Sequence, residues 1–72
     1  MVVSVFVKIV RDLALAKKLD WTSFRERRIW ETGKKFEAKE IDLRQAIDAI
    51  KAELKSYNIT IDDERYLKEK MR

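Results

Sequence analysis

The fold predicted for this chain depends on one stretch near its start, VVSVFVKIV at residues 2–10. Six of these nine residues are β-branched, and β-branched side chains pack well on a pleated surface. A period of two would place an apolar set on one face and a mixed set on the other. These two sets are Val3, Val5, Val7 and Ile9 on the first face and Ser4, Phe6 and Lys8 on the second. The stretch therefore predicts an N-terminal β-strand.

A single strand leaves its backbone donors and acceptors unpaired, so the predicted strand requires a partner. Within the chain the only candidate is the weak run Asn58–Ile61. The same strand from a second copy, related by a two-fold axis, would satisfy these groups more simply. We therefore expect a homodimer built on an intermolecular two-stranded antiparallel ribbon. The alternative is a small α+β fold in which residues 2–9 pair with residues 59–61 inside one chain, which allows a monomer.

The composition narrows the chemistry that this protein can perform. A domain of 72 residues buries only a modest share of its surface, which favours completion of the core by a second copy. Cys and His are absent, so the chain lacks thiolate sites, disulfides and the commonest general base and metal ligand. With Gly33 as the only glycine, no glycine-rich phosphate loop is present. The sequence predicts no enzyme, no metal site and no cofactor.

Charge and hydropathy indicate the kind of partner. The apolar run at the start is shorter than a membrane span, so we expect a cytoplasmic protein with no membrane partner, in the host cytoplasm if it is viral. A charged fraction of 42% is typical of thermophilic proteins.

Before residue 41 there are ten Lys and Arg against six Asp and Glu, and from residue 41 there are seven of each. The net charge of +4 thus lies entirely in the first half and indicates an anionic partner.

Two helices are predicted after the strand. The segment RDLALAKKL, which starts at Arg11, predicts a short helix with Leu13 on its apolar stripe. Thr22 or Ser23 opens a longer helix, FRERRIWETGKKFEA, and Ser23 with Glu26 fits a capping box. Ile29 and Trp30 are expected on the inner side of this second helix. Gly33 either ends it or allows another helix to approach closely.

A strand, a short helix, a tight turn with Thr or Ser and a longer helix follow one another here. In this order VSVFVKI, LALAKKL and DWTSFRERRI resemble the ribbon-helix-helix (MetJ/Arc/CopG-like) family of DNA-binding regulators. The resemblance covers residues 2–36 and is closest to archaeal VapB-type antitoxins and small regulators of archaeal viruses. It implies a sequence-specific transcriptional regulator, a repressor or autoregulator, that inserts a β-ribbon into the major groove of double-stranded DNA. Phe6 departs from the family pattern, which usually has a polar or basic side chain at that position.

The resemblance also implies which residues would touch DNA. The outward face of the ribbon would contact bases through Ser4, Phe6 and Lys8. The free amides and positive dipole at the start of the second helix would hold phosphates. That predicted phosphate-contacting set is Thr22, Ser23, Phe24, Arg25 and Arg28. The predicted dimer core is Val3, Val5, Val7, Ile9, Leu13, Ile29 and Trp30. In the alternative interpretation Phe6 packs under a loop and the arginines form ordinary surface ion pairs.

Residues 1–37 are thus the predicted DNA-binding and dimerisation region, and residues 38–72 a C-terminal helical extension. IDLRQAIDAIKAELKSY has the spacing of an amphipathic helix, and DDERYLKEKMR predicts a further helix capped by Asp62. This half either packs back on the rest of the protein, which the patterning favours for residues 41–57, or binds a partner. In the second case the protein is an antitoxin whose C-terminal half binds and neutralises a toxin. The inserting side chains would then be Ile59, Ile61, Tyr66 and Leu67.

Overall fold

The computed structural model describes residues 1–54 and 59–71, and the regular structure in these residues is entirely helical. This part of the chain forms four helices, α1 (Val3–Ala16), α2 (Ser23–Glu37), α3 (Leu43–Glu53) and α4 (Ile61–Lys70). The predicted fold class, a mostly α ribbon-helix-helix homodimer with one N-terminal strand, is therefore wrong. Residues 3–16 all belong to α1, so they form neither the intermolecular ribbon nor the pairing of the α+β alternative.

Helix α1 forms because its apolar residues also repeat at helical spacing. Val3, Phe6, Val7 and Val10 recur at i, i+3, i+4 and i+7, and all four are buried. Leu13 extends the same stripe by another turn. Placing a β-branched residue in a helix costs only a few tenths of a kcal/mol, whereas full burial of a large apolar side chain contributes about 1.5–3 kcal/mol. Burial of this wide stripe therefore outweighs the local preference for a strand.

The four helices pack together through a hairpin of α1 and α2 and three further helix–helix contacts. Oε1 of Glu26, near the start of α2, lies 3.7 Å from Nη1 of Arg11, in the second half of α1. Gly33, near the end of α2, lies against the first turns of α1. The two helices are therefore antiparallel. Helix α3 packs against α2, and α4 packs against both α1 and α3. Self-packing, expected for residues 41–57, is found for α3, whereas residues 55–57 and Asn58 lie outside the described residues.

Gly33 is needed for the close approach of α1 and α2. It is buried in the interior of α2, which continues to Glu37, so it does not end the helix. A Cβ at this position would lie 2.9 Å from Cδ1 of Phe6 and 3.3 Å from Cγ1 of Val3. The second of the two predicted roles of Gly33 is therefore confirmed. Helix α2 closes instead at Lys39, whose φ of 62° makes it a left-handed residue beyond the helix end.

Threonine or aspartate side chains cap α2, α3 and α4, whereas Val2 at the start of α1 makes no side-chain cap, and the predicted caps Ser23 and Asp62 are wrong. The hydroxyl of Thr22 accepts a hydrogen bond from the backbone N–H of Arg25, so Thr22 rather than Ser23 caps α2. Thr60, paired with Asp63 in a capping box, caps α4 in place of Asp62. These caps satisfy donors that the first turn of a helix leaves without partners.

One apolar core joins the four helices. It includes Phe6 from α1, Ile29 from α2, Ile50 from α3 and Leu67 from α4, each with 0% of its surface exposed. Five residues of the predicted dimer core are buried here within a single chain, namely Val3, Val7, Ile9, Leu13 and Ile29. The other two, Val5 and Trp30, are 44% and 42% exposed. The chain therefore fills its core without the second copy that the ribbon required.

An ion pair fixes α4 to the end of α1. Nζ of Lys17 lies 2.7 Å from Oδ2 of Asp63, and the two side chains are 23% and 16% exposed. The same carboxylate accepts a hydrogen bond from the backbone N–H of Thr60 at 3.0 Å. The hydrogen bond from Lys17, followed by that from Thr60, holds the pKa of Asp63 below its usual value of 3.8. Because the pKa is lower in the folded state, the ionised carboxylate stabilises the fold above the unfolded pKa.

We expect this stabilisation to disappear as the pH falls below 3.8 and through the folded pKa of Asp63. Asp63→Asn should therefore lower the free energy of unfolding by about 1–2 kcal/mol at neutral pH and by less at about pH 3, below the unfolded pKa. Urea unfolding of both proteins across this pH range measures the difference. Asp62→Asn is a suitable control, because Asp62 is exposed and makes no ion pair with any described residue. A deficit in Asp63→Asn that is the same at both pH values would contradict the assignment.

Candidate nucleic-acid interface

The exposed face of α2 carries two aromatic side chains on either side of an arginine. Phe24, Arg27 and Trp30 are spaced three residues apart, which places them in one oblique row on the helix surface. Phe24 is 69% exposed and Trp30 is 42% exposed, and Arg27 is exposed between them. We call these three residues the α2 row. Buried Ile29 lies nearly opposite Arg27 on the helix, so Phe24 and Arg27 point away from the core, whereas Trp30 lies at the edge of the exposed face, next to buried Gly33.

Further cations border the α2 row. Lys34 and Lys35 are exposed one turn beyond Trp30. With Arg27 they stand at i, i+7 and i+8, which places all three on the outer half of the helix. In residues 1–54 and 59–71 none of the three makes an ion pair. Their positive charges are therefore available to an anionic ligand.

Arg28 has partners of its own beside the row. Its Nε donates to a carboxylate oxygen of Glu53, which joins α2 to α3. Its guanidinium carbon also lies 5.8 Å from the centroid of the Phe24 ring, within the range of a cation–π contact. Arg28 thus holds the Phe24 ring in place, and 69% of the Phe24 residue remains exposed.

The first turn of α2 brings together the residues predicted to hold phosphate. Thr22, Ser23 and Phe24 are exposed, and Arg28 follows on the same side as Phe24. Arg25 is half-buried, and its Nη1 donates to the carbonyl of Asp20 at 2.6 Å. The side chain of Arg25 is thus turned back onto the loop that precedes the helix. Four of the five predicted residues therefore share one exposed region, and Arg25 stands apart from them.

The residues predicted to contact bases are divided by the helical fold. Ser4 and Lys8 are exposed on α1 and line a shallow cleft of about 330 Å³ together with Trp30. Lys8 is paired with Asp12 at 2.9 Å, which compensates part of its charge. Phe6 is fully buried, with its ring centroid 5.7 Å from that of Phe36. In this fold it has no surface to offer a base, and the expectation for Phe6 fails because the ribbon does not form.

Sequence reasoning missed Lys34 and Lys35, left Arg27 out of the predicted phosphate contacts although it lies close to them, and placed Trp30 on the inner side of α2. A helical signal for this was present, because Ile29, Gly33 and Phe36 at i, i+4 and i+7 define a complete inner face. Trp30 is rotated by about 100° from Ile29 on an α-helix with 3.6 residues per turn. It therefore falls at the edge of the exposed face, near the cations.

Comparison with known proteins returns no relative for this chain. No family model matches it, and no curated protein or solved structure matches it either. The resemblance to ribbon-helix-helix regulators thus stays a prediction, and the β-ribbon that it implied is wrong. Among the described residues, no helix has both the length and the apolar character needed to cross a bilayer.

Proposed function

We propose that this protein binds DNA and that the exposed face of α2 holds the sugar–phosphate backbone. The observation that carries this proposal is the set Arg27, Lys34 and Lys35, which shares one helix face and forms no ion pair within the described part of the chain. Lys and Arg side chains that neutralise phosphates release condensed counterions, and this release supplies most of the affinity of non-specific binding. The concentration of the net charge of +4 before residue 41 supports the same choice.

The regulatory role at double-stranded DNA stays a prediction, and the element that would read the DNA sequence must differ from the one expected. Residues 3–16 form α1, so no ribbon enters the major groove. Ser4 and Lys8 lie beside Trp30, at the edge of the α2 face, and are placed to add contacts there. Homodimer formation likewise stays a prediction that no longer relies on strand pairing.

Charge reversal on α2 tests the proposal. The triple variant Arg27→Glu, Lys34→Glu and Lys35→Glu should lose at least about 10-fold in affinity for a DNA duplex at about 50 mM salt. Its dependence on salt should also weaken, with the slope of log affinity against log salt reduced by about three. Fluorescence anisotropy with a labelled duplex at several salt concentrations measures both quantities.

A matched control is available on α4. Arg65→Glu, Lys68→Glu and Lys70→Glu reverses three exposed charges there, so both variants change the net charge from +4 to −2, since 4 − 6 = −2. The α4 variant should keep more of the affinity and nearly all of the salt slope. Equal losses in the two variants would show that net charge alone matters and that α2 is not the interface. Absence of salt-dependent binding by the unaltered protein to duplex or single-stranded DNA would overturn the proposal.

A second candidate function, binding a protein partner as an antitoxin does, is favoured by a different observation. A cleft of about 810 Å³ opens at the end of the bundle where α1 begins. Its apolar lining consists of Met1, Val2, Val5, Phe36, Ile41 and Met71. Three acidic side chains, Glu37, Glu40 and Asp42, also line it, against one basic side chain, Lys39. Such a cleft fits an apolar segment flanked by basic residues.

The side chains expected to enter a toxin are distributed unevenly. Leu67 is fully buried in the core and is not free to insert into a partner. Ile61 is 74% exposed at the start of α4, and Ile59 and Tyr66 are half-buried. Only Ile61 therefore presents a large apolar surface, and the cleft is the stronger argument for a protein partner. The charge reversal on α2 changes no residue of the cleft, so it separates the two candidate functions.

A further inference from the structure

The aromatic residues of the α2 row are not explained by contacts to backbone phosphates. Phosphates are recognised by cations and hydrogen-bond donors, yet Phe24 and Trp30 expose apolar rings on the same face as Arg27. Trp30 differs from Trp21, which is half-buried and donates its Nε1–H to Glu26 at 2.9 Å. The indole N–H of Trp30 makes no hydrogen bond to any residue that the structure describes. The row therefore offers ring surfaces together with positive charge.

This combination suits unpaired bases better than a duplex. Bases in a duplex are stacked on one another, so an aromatic ring on the protein surface can reach their edges in a groove but cannot stack on their faces. In a single strand each base presents a π-face, and aromatic side chains bordered by cations bind such strands with little dependence on sequence. We propose that Phe24 and Trp30 stack on unpaired bases, so that the DNA held by α2 is single-stranded at this face. This inference rests on the proposed function and specifies its substrate.

The geometry of the row supports two stacking positions on one strand. Trp30 is six positions after Phe24, which corresponds to about 9 Å along the helix axis and a separation of about 120° around it, with Arg27 about 60° from each. Arg27 lies midway, where it can neutralise the phosphate between two bases. The guanidinium of Arg28, 5.8 Å from the Phe24 ring centroid, adds a second planar group beside the first position. Lys34 and Lys35 extend the positive surface beyond Trp30.

The test compares two leucine variants on two kinds of DNA. Phe24→Leu and Trp30→Leu keep an apolar side chain at an exposed position but remove the aromatic ring. The unaltered protein should prefer an oligothymidylate of about 15 nucleotides to a duplex of the same length. Each variant should lose roughly 5- to 150-fold in affinity for the single strand, which is the contribution of one stacked base, and little for the duplex. Ile61→Ala, at an apolar position on α4 that is at least as exposed as Phe24 and Trp30, should change neither affinity.

Tryptophan fluorescence reports stacking directly. In a Trp21→Phe background Trp30 is the only tryptophan, and its emission should be quenched by the oligothymidylate and much less by the duplex. If Trp21→Phe does not fold, anisotropy with labelled oligonucleotides in the natural background gives the decisive comparison. If the leucine variants lose the same affinity for both DNAs, or lose none for either, the stacking inference is overturned. The proposed function still stands in that case, provided that the unaltered protein binds DNA in a salt-dependent manner. If neither DNA binds, both fail.

Discussion

Replacing Phe6 with alanine is expected to lower the free energy of unfolding by about 3–5 kcal/mol. The Phe6 side chain has no exposed surface, and its ring packs between Phe36 and the position of Gly33. Removing the ring would leave a cavity at the crossing of α1 and α2. A domain of 72 residues has a total stability of roughly 4–11 kcal/mol, so this single change should unfold a large fraction of the protein at moderate temperature. Urea unfolding followed by circular dichroism measures the loss.

The neighbouring residue provides the control. Val5 is 44% exposed, so Val5→Ala should cost less than about 1 kcal/mol. In the predicted strand the two residues have opposite roles, with Val5 in the core and Phe6 on the outer face. The comparison therefore distinguishes the helix from the strand in one experiment. If Val5→Ala proves more destabilising than Phe6→Ala, residues 3–16 are not arranged as α1.

The N-terminal stretch shows why local preference misled the sequence analysis. The pattern of VVSVFVKIV is compatible with a period of two and with a period of 3.6, because valine fills positions of both kinds. Only the continuation of the stripe through Leu13 and Ala14 distinguishes them. The predicted strand ended before Arg11, so Leu13 and Ala14 were assigned to a separate element and the continuous helical stripe was not recognised. The sequence showed that this stretch is apolar and belongs to the core, but it did not show which of its side chains face the core.

Elements with a single clear period were predicted more closely. The start of α2 was expected at Thr22 or Ser23, and α3 was expected from its amphipathic spacing. Contacts between distant segments carry no local signal, and the pair Lys17–Asp63, separated by 46 residues, could not be read from the sequence. The ion pair between Arg28 and Glu53 could not be read from the sequence either, and it reduces the positive charge that α2 offers to a ligand.

A fragment of residues 1–40 is expected not to fold, although the ribbon-helix-helix interpretation assigns residues 1–37 a fold of their own. Helices α1 and α2 expose most of their core when the second half is removed, because α3 covers α2 and α4 covers α1. The missing part of the core includes Ile47, Ile50, Leu54 and Leu67, all nearly or fully buried. A chain of about 40 residues rarely folds alone without disulfides, metals or a partner, and this chain has no cysteine. Far-UV circular dichroism of the fragment should show little helix and no cooperative urea transition.

Adding residues 41–72 as a separate peptide should restore helical structure, since the two pieces together contain the whole core. The control is the same peptide with Ile50→Asp, which would bury an unpaired carboxylate where Ile50 has no exposed surface. That peptide should restore little helix at equal concentration. A cooperative urea transition in the fragment of residues 1–40 alone would show that the first half has its own core. In that case the four helices would not share a single core. The orientation of the α2 row depends on that core, because Ile29 turns the inner side of α2 towards it.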